Sequence, residues 1–444
     1  MQLYFITLSN MQNSVKPFSY LFVCISLLCY GAIAYAFPRS DFWYLITCFN
    51  VLFGAYYYFL KQEQEYSEKE ILITAIAFRV LLIASIPSLS DDFYRYLWDG
   101  ALVLKGINPF AYTPTEAINL GLMEDAVLYQ QMNSPDYFSV YPPTNQLVFA
   151  LSAVGGSYKI SLLILKTLAI AADIGTLFLI TQISQHFKQG NRPILIYGLN
   201  PLVILEFSGN VHSEVFMVFF IALFITLFIK KRNMLSGASL AFAICSKLIP
   251  VLILPLLIVK MGRKNGLKLI VTTLAVCTLL FLPLLSAETL NAHKGLSLYF
   301  NHFEFYGAIY QIGKLLDGYV VNGFGIGVKL IGLALLAFIY LKRPIVSTQE
   351  LLQSSLFLFT VYFLFSSTIH PWYIAALVFY GAFTSLNFVL VWTYLTVFTY
   401  ITYQTETYEQ NKWVLWIQFF IVSFFLIKEL ILVNWKKKPS LYNL

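Results

Sequence analysis

Charge is what this chain has least of. Asp, Glu, Lys and Arg make up 11% of its 444 residues, apolar residues 59%, and the mean hydropathy is +0.71. A soluble domain carries about 25% charge, so an ordinary soluble protein is excluded. Cysteine is scarce as well. Cys24, Cys29, Cys48, Cys245 and Cys277 all lie in apolar runs. That leaves no disulfide framework and no cysteine metal cluster, only small buried hydrophobes. There is no internal repeat, no low-complexity linker and no stretch polar enough for a soluble domain. The net charge of +7 does not imply nucleic acid, because the basic residues sit in short loops between apolar runs, the signature of membrane orientation.

What is present is a series of apolar runs. A helix needs about 20 apolar residues to cross the hydrocarbon core. Spans are expected at 18–37, 42–60, 69–87, 159–181, 193–209, 214–230, 234–247, 248–260, 267–286, 324–341, 349–367, 371–386, 388–403 and 412–433. The expected fold is an all-α polytopic membrane protein of about 12–14 spans forming one membrane domain. It divides into three N-terminal spans (1–87), an outer loop (88–157) and the remaining spans (158–444), with a second outer segment at 287–323. The 234–260 stretch reads as a hairpin broken around Ser246–Pro250, and 142–157 as a short re-entrant or interfacial piece. Phe18 to Phe37 is too long for the h-region of a cleavable signal, although Ala34-Tyr35-Ala36 has the spacing of a cleavage site.

Lys and Arg set the orientation. Lys61 and Lys69, Lys188 and Arg192, Lys230 to Arg232, Arg263 to Lys268, Lys342 and Arg343, and Lys436 to Lys438 fall on one side, the cytoplasm, with both termini. The 88–141 and 287–323 segments, the turn near His370 and the 404–411 loop fall on the other.

Ionisable groups concentrate in that outer set. Ser90 to Pro109 places Asp91 and Asp92 directly after a span. Asp92, Arg95, Tyr96 and Asp99 share one face of a helix, with Phe93, Leu97, Ala101 and Leu104 on a neighbouring face. Such a helix is expected to lie flat on the membrane surface. A carboxylate at a membrane cavity, with a like-charged neighbour, can serve as a general base. The alternative is a helix cap formed by Ser90 and Asp91. Lys105-Gly-Ile-Asn108-Pro-Phe is a helix stop and turn. Tyr141-Pro-Pro-Thr-Asn-Gln146 initiates a helix, or turns polar groups to a cavity.

Further polar groups gather at the outer ends of later spans. Glu206, Asn210, His212 and Glu214 form either a polar turn or a set that hydrogen-bonds a sugar, with His212 also able to pair a phosphate; His212 and Glu214 alone are a weak metal signal. Lys247 in its apolar hairpin needs an anion, either a lipid phosphate or an internal partner such as Glu206 or Asp173. His302, Glu304 and Tyr306 read as an interface helix or an aromatic belt. His370-Pro-Trp-Tyr373 also fits a belt, but His370 can donate to an anion or shuttle a proton. Arg79, Lys166 and Asp173 lie inside spans, where Lys166 and Asp173 can bridge neighbouring helices.

Taken together, SDDFYRYLWDG, GINPF, YPPTNQ, NPLVILEFSGNVHSE, SKLIPVLILP and HPWY resemble bacterial membrane mannosyltransferases of the GT-C superfamily, from about Ser90 to Tyr373. The resemblance implies a polyprenyl-phosphate-linked sugar donor, which needs no nucleotide-binding domain, and inverting transfer on the non-cytoplasmic face of the cell membrane. It implies a catalytic base among the acids of the first outer loop. Many relatives carry Asp followed four residues on by Tyr, which maps the base to Asp92, with Asp91 second. Here the acids follow the third span rather than the first, as an extra N-terminal hairpin would produce.

The expected function is thus transfer of a sugar, mannose by resemblance, to a hydroxyl of a lipid, glycan or protein acceptor. Asp92 acts as base. Lys247, Arg95 and His370 stabilise the departing phosphate. Tyr96, Asp99, Asn108, Tyr141, Asn210, His212, Glu214, His302 and Tyr373 are the further donor- and substrate-binding candidates. No cofactor is expected. The rival is a transporter or flippase of lipid-linked sugars, which would show inverted repeats and paired broken helices; one broken helix and no repeat are read here.

Overall fold

The computed structural model describes residues 2–295, 303–319, 324–342, 345–405 and 408–436. Within them the chain is helical throughout, with no strand; Phe305 and Tyr306 make isolated bridges to Thr368. The protein is an all-α polytopic membrane protein. Among the described residues, four helices are long and apolar enough to cross a bilayer unbroken: Phe42–Lys61, Tyr158–Phe187, Arg263–Leu284 and Lys412–Ile431. The other expected spans are helical but shorter or interrupted.

The interruptions have local causes. The expected 193–209 span stops at Gly198 and restarts at Pro201, where proline has no N–H to continue the ladder. Asn200 caps the new start by accepting from the N–H groups of Leu202 and Val203. The chain then runs as a π-helix over Ile204–Gly209 and bends by 112° into Glu214–Ile229. The 234–260 stretch breaks as expected, into Asn233–Ile244, a short 3-10 turn at Ile249–Ile253, and Leu254–Met261.

Pro371–Ala382 is the central helix, buried at every residue. Phe388–Thr396, Thr348–Leu364, Arg192–Gly198 and Glu214–Ile229 pack around it. The rim is the reverse. Arg263–Phe281 buries only Gly266, Leu269 and Thr273, and exposes Leu274 and Leu279. Lys412–Lys436 exposes Phe420 and Phe424. Apolar side chains turned outward suit hydrocarbon, and helices satisfy their own backbone polar groups there.

Charges inside the bundle are paired. Arg79 and Asp173 are both fully buried and 2.8 Å apart. Tyr197 and Ser208 also donate to Asp173, and Arg79 donates to the Gly198 carbonyl. Lys166 and Asp173 do each bridge between helices, but to different partners: Lys166 donates to Ser85 Oγ and the Gly209 carbonyl.

The Asp92–Leu104 helix departs from expectation. Its apolar face is partly covered by protein, with Phe93 and Leu97 buried and Leu104 exposed. Phe93, Arg95, Tyr96, Leu97, Trp98, Asp99 and Leu102 are all buried, and it packs against Pro143–Ala153. Gly100 permits that approach, since a Cβ there would overlap the Phe149 carbonyl. The aromatic and ionic groups on several faces find protein partners, which a surface helix would not supply.

Candidate active site

The two adjacent acids have different surroundings. Asp91 occupies the N-cap position of the Asp92–Leu104 helix, but its side chain caps nothing. It is held instead by Arg39, 2.5 Å from its Oδ2, and the Arg39 guanidinium lies 4.7 Å over the Tyr403 ring. Asp92 is half-buried. Its Oδ1 accepts from Asn133 Nδ2 at 2.9 Å and its N–H donates to Ser90 Oγ. No ion pair engages Asp92 among the described residues. One carboxylate is therefore neutralised by a cation and its neighbour is not.

The rest of this helix positions the pair. Arg95 reaches Asp99 at 2.7 Å and donates to the carbonyls of Ser134 and Tyr137. Asp99 accepts from Ser139 and Gln146. Arg95 and Asp99, expected to meet donor, thereby tie the helix to the outer loop, because a buried guanidinium and carboxylate satisfy each other first. Tyr96 stacks on Phe149 and meets Tyr141 edge-on. Burial, and with it the negative charges of Asp92 and Glu214, push both phenols well above their ordinary pKa, so they remain hydrogen-bond donors. Asn108 lies beyond the other end of the helix, bound to the Leu284 carbonyl, Ser286 and Thr289, and is not brought to the acids.

A second set of groups lies at the 112° bend. Asn210 is structural: its Oδ1 accepts from the Leu89 N–H and its Nδ2 donates to the Leu205 carbonyl. That pins the bend to the chain leading into Asp91. Val211 is left-handed, with φ 54°, a strained conformation for a β-branched residue. It aims His212 inward. His212 Nδ1 lies 3.0 Å from Glu206 Oε2, and Tyr400 donates to Glu206 Oε1 at 2.6 Å. The His212 ring stacks on Trp372 at 3.8 Å, Trp372 on His370 at 4.1 Å, and His370 on Phe305 at 4.4 Å. Lys247 pairs with Glu214 at 2.5 Å and lies 4.5 Å over the Tyr373 ring. The expected internal partner of Lys247 is thus Glu214, rather than Glu206 or Asp173. Burial, then the adjoining His212 and Lys247, push the His370 imidazole well below its ordinary pKa.

Phenols join the two sets. Tyr403 is within electrostatic reach of Arg39, Asp92, Glu206 and Asp91, and Tyr96 of Asp92 and Glu214. Asp91 and Asp92 belong to the first set, and Glu206, His212, Glu214, Lys247 and His370 to the second. Sequence reasoning did not assign Arg39, Asn133, Trp372, Tyr400 or Tyr403. Arg39 left a signal, as a cation in an expected outer loop where the positive-inside trend predicts none. Asn133, Tyr400 and Tyr403 left none. His302 lies outside the described residues. No three His, Cys, Asp or Glu side chains gather to hold a metal among the described residues, and His212 and Glu214 turn to different partners.

A family model described as alpha-(1->6)-mannopyranosyltransferase, N-terminal domain, matches residues 32–263. The chain belongs to that family. The matched region contains Arg39, Asp91, Asp92, Glu206, His212, Glu214 and Lys247; His370, Tyr373 and Tyr400 lie beyond it. The chain is also similar to alpha-(1->6)-mannopyranosyltransferase A of Corynebacterium glutamicum, 30% identical over 188 residues, which is 42% of this chain and 37% of the relative. It is 27% identical over 197 residues to alpha-(1->6)-mannopyranosyltransferase A of Mycobacterium tuberculosis, covering 44% of this chain and 37% of that relative. The alignments thus span well under half of either relative's length.

Proposed function

We propose that this protein is an inverting membrane glycosyltransferase that moves mannose from a polyprenyl-phosphate donor to an acceptor hydroxyl on the non-cytoplasmic side of the membrane. The observation that carries the reading is the unequal treatment of the two acids: Arg39 neutralises Asp91, while Asp92 has only Asn133 on one oxygen. Asp92 takes the acceptor's proton as that oxygen attacks the anomeric carbon. A single displacement of this kind inverts the centre. Tyr96 and Tyr141, held as donors, line the approach to Asp92. The departing phosphate gains negative charge, and the face formed by Lys247, His212 and His370 is placed to meet it.

Mannose and the α-(1->6) linkage rest on family membership and on the names of the two relatives. The test is transfer from polyprenyl-phosphate-mannose by the purified full-length protein. Asp92→Asn is expected to lower turnover by about 10²- to 10⁴-fold, the usual share of a general base. Turnover equal to that of the unmodified protein contradicts the assignment.

A further inference from the structure

The Glu206–His212 pair is organised beyond what binding requires. His212 Nδ1 faces two oxygens, the Glu206 carboxylate at 3.0 Å and the Glu206 main-chain carbonyl at 3.3 Å. Both can only accept, so Nδ1 carries a proton in either charge state of the ring. Tyr400 donates to the far oxygen of the same carboxylate, fixing its rotamer. The ring plane is fixed by Trp372. The open atoms of the pair are Glu206 Oε2, which lies close to Nδ1 without a hydrogen bond, and His212 Nε2; both are buried and have no hydrogen-bond partner among the described residues. An orphan nitrogen in so constrained a ring implies a partner that is not protein. Its titratable neighbours are Glu206, Lys247 and the neutral His370, with the Tyr400 phenol behind Glu206. A carboxylate beside Nδ1 is the arrangement that orients a histidine for proton transfer.

We propose that His212, positioned by Glu206 and Tyr400, protonates the departing lipid phosphate. This rests on the donor reading above. The bond between the anomeric carbon and the phosphate oxygen breaks, and its electron pair stays on that oxygen. The bond from the acceptor oxygen to the anomeric carbon forms. Asp92 takes the acceptor's proton, and His212 Nε2 gives one to the phosphate. The phosphodiester carries one negative charge and the protonated monoester also carries one, so the low-dielectric site never holds a dianion. One proton is taken and one given, and the site is balanced.

The experiment uses the full-length protein in lipid nanodiscs with two donors: polyprenyl-phosphate-mannose, and its α,α-difluoromethylphosphonate analogue, whose departing group is the weaker base. His212→Gln is expected to lower kcat by about 10²- to 10⁴-fold with the phosphate donor and by a much smaller factor with the analogue. Tyr400→Phe is expected to lower kcat by about 3- to 10-fold, the worth of one hydrogen bond, with the same donor dependence. It removes one hydroxyl and keeps the ring, so it decides the matter should His212→Gln not fold. Equal losses with both donors, or unchanged kcat, overturn this role while the unmodified protein still transfers mannose. Failure of the unmodified protein to use either donor overturns the donor reading itself, and this inference with it.

Discussion

Arg39 Nη2 lies 2.5 Å from Asp91 Oδ2, across 52 residues of sequence. This contact separates two adjacent carboxylates into one paired with a cation and one without an ion pair among the described residues. Both partners keep some exposure, 21% and 33%, so the pair is worth no more than about 1 kcal/mol to stability. Its value is to the chemistry. Arg39→Ala leaves Asp91 without its cation while Asp92 keeps its hydrogen bond from Asn133. The expected result is a near-normal melting temperature together with slower transfer. Unchanged transfer contradicts a role for this contact in the chemistry.

Asp173 is the buried anion that Arg79, Tyr197 and Ser208 share. Asp173→Asn leaves the Arg79 guanidinium without its carboxylate. Breaking a buried pair from one side costs about 3–5 kcal/mol. Thermal unfolding in detergent is expected to show a large fall in midpoint, far larger than for Arg39→Ala.

Gly100 sits where the Asp92–Leu104 helix meets the backbone of Phe149. Gly100→Ala forces the two helices apart, at about 1–3 kcal/mol for overpacking. Because the displaced helix carries Asp92, turnover is expected to fall more than stability alone explains. Parallel melting and transfer assays separate the two.

His370 is buried, and burial holds its folded-state pKa well below the ordinary value near 6.5. The unfolded chain therefore binds a proton that the folded one refuses. Stability is fully present above pH 6.5. It falls as pH drops below that value, by about 1.4 kcal/mol per pH unit, until the folded pKa is reached. His370→Gln is expected to flatten that slope, as read by denaturation at stepped pH between about 4.5 and 7.5.

Much of this was legible in the sequence, for physical reasons. Apolar runs reveal spans because lipid admits little else, and Ser246–Pro250 marks a break because proline lacks a donor; the same signal at Asn200-Pro201 was passed over, and 193–209 was read as one span. Asp91 and Asp92 stood out because charge is rare here. What was not legible is pairing across distance. Nothing local says that Arg95 turns to Asp99 and the 134–139 loop, that Lys247 chooses Glu214, or that Arg39 and Tyr403 close over Asp91. The packing of the Asp92–Leu104 helix was not legible, because Tyr96 and Gly100 meet Phe149 and helical periodicity does not distinguish lipid from a packed helix. Tyr400 looked like one of many interface tyrosines, and only the fold brings its hydroxyl to Glu206.

The most direct test of the central claim is single-turnover transfer from polyprenyl-phosphate-mannose, comparing Asp91→Asn with Asp92→Asn at saturating donor. Asp92→Asn is expected to abolish measurable transfer while still binding donor, and Asp91→Asn to retain a substantial fraction of the rate. The reverse order, or equal rates, contradicts Asp92 as the base.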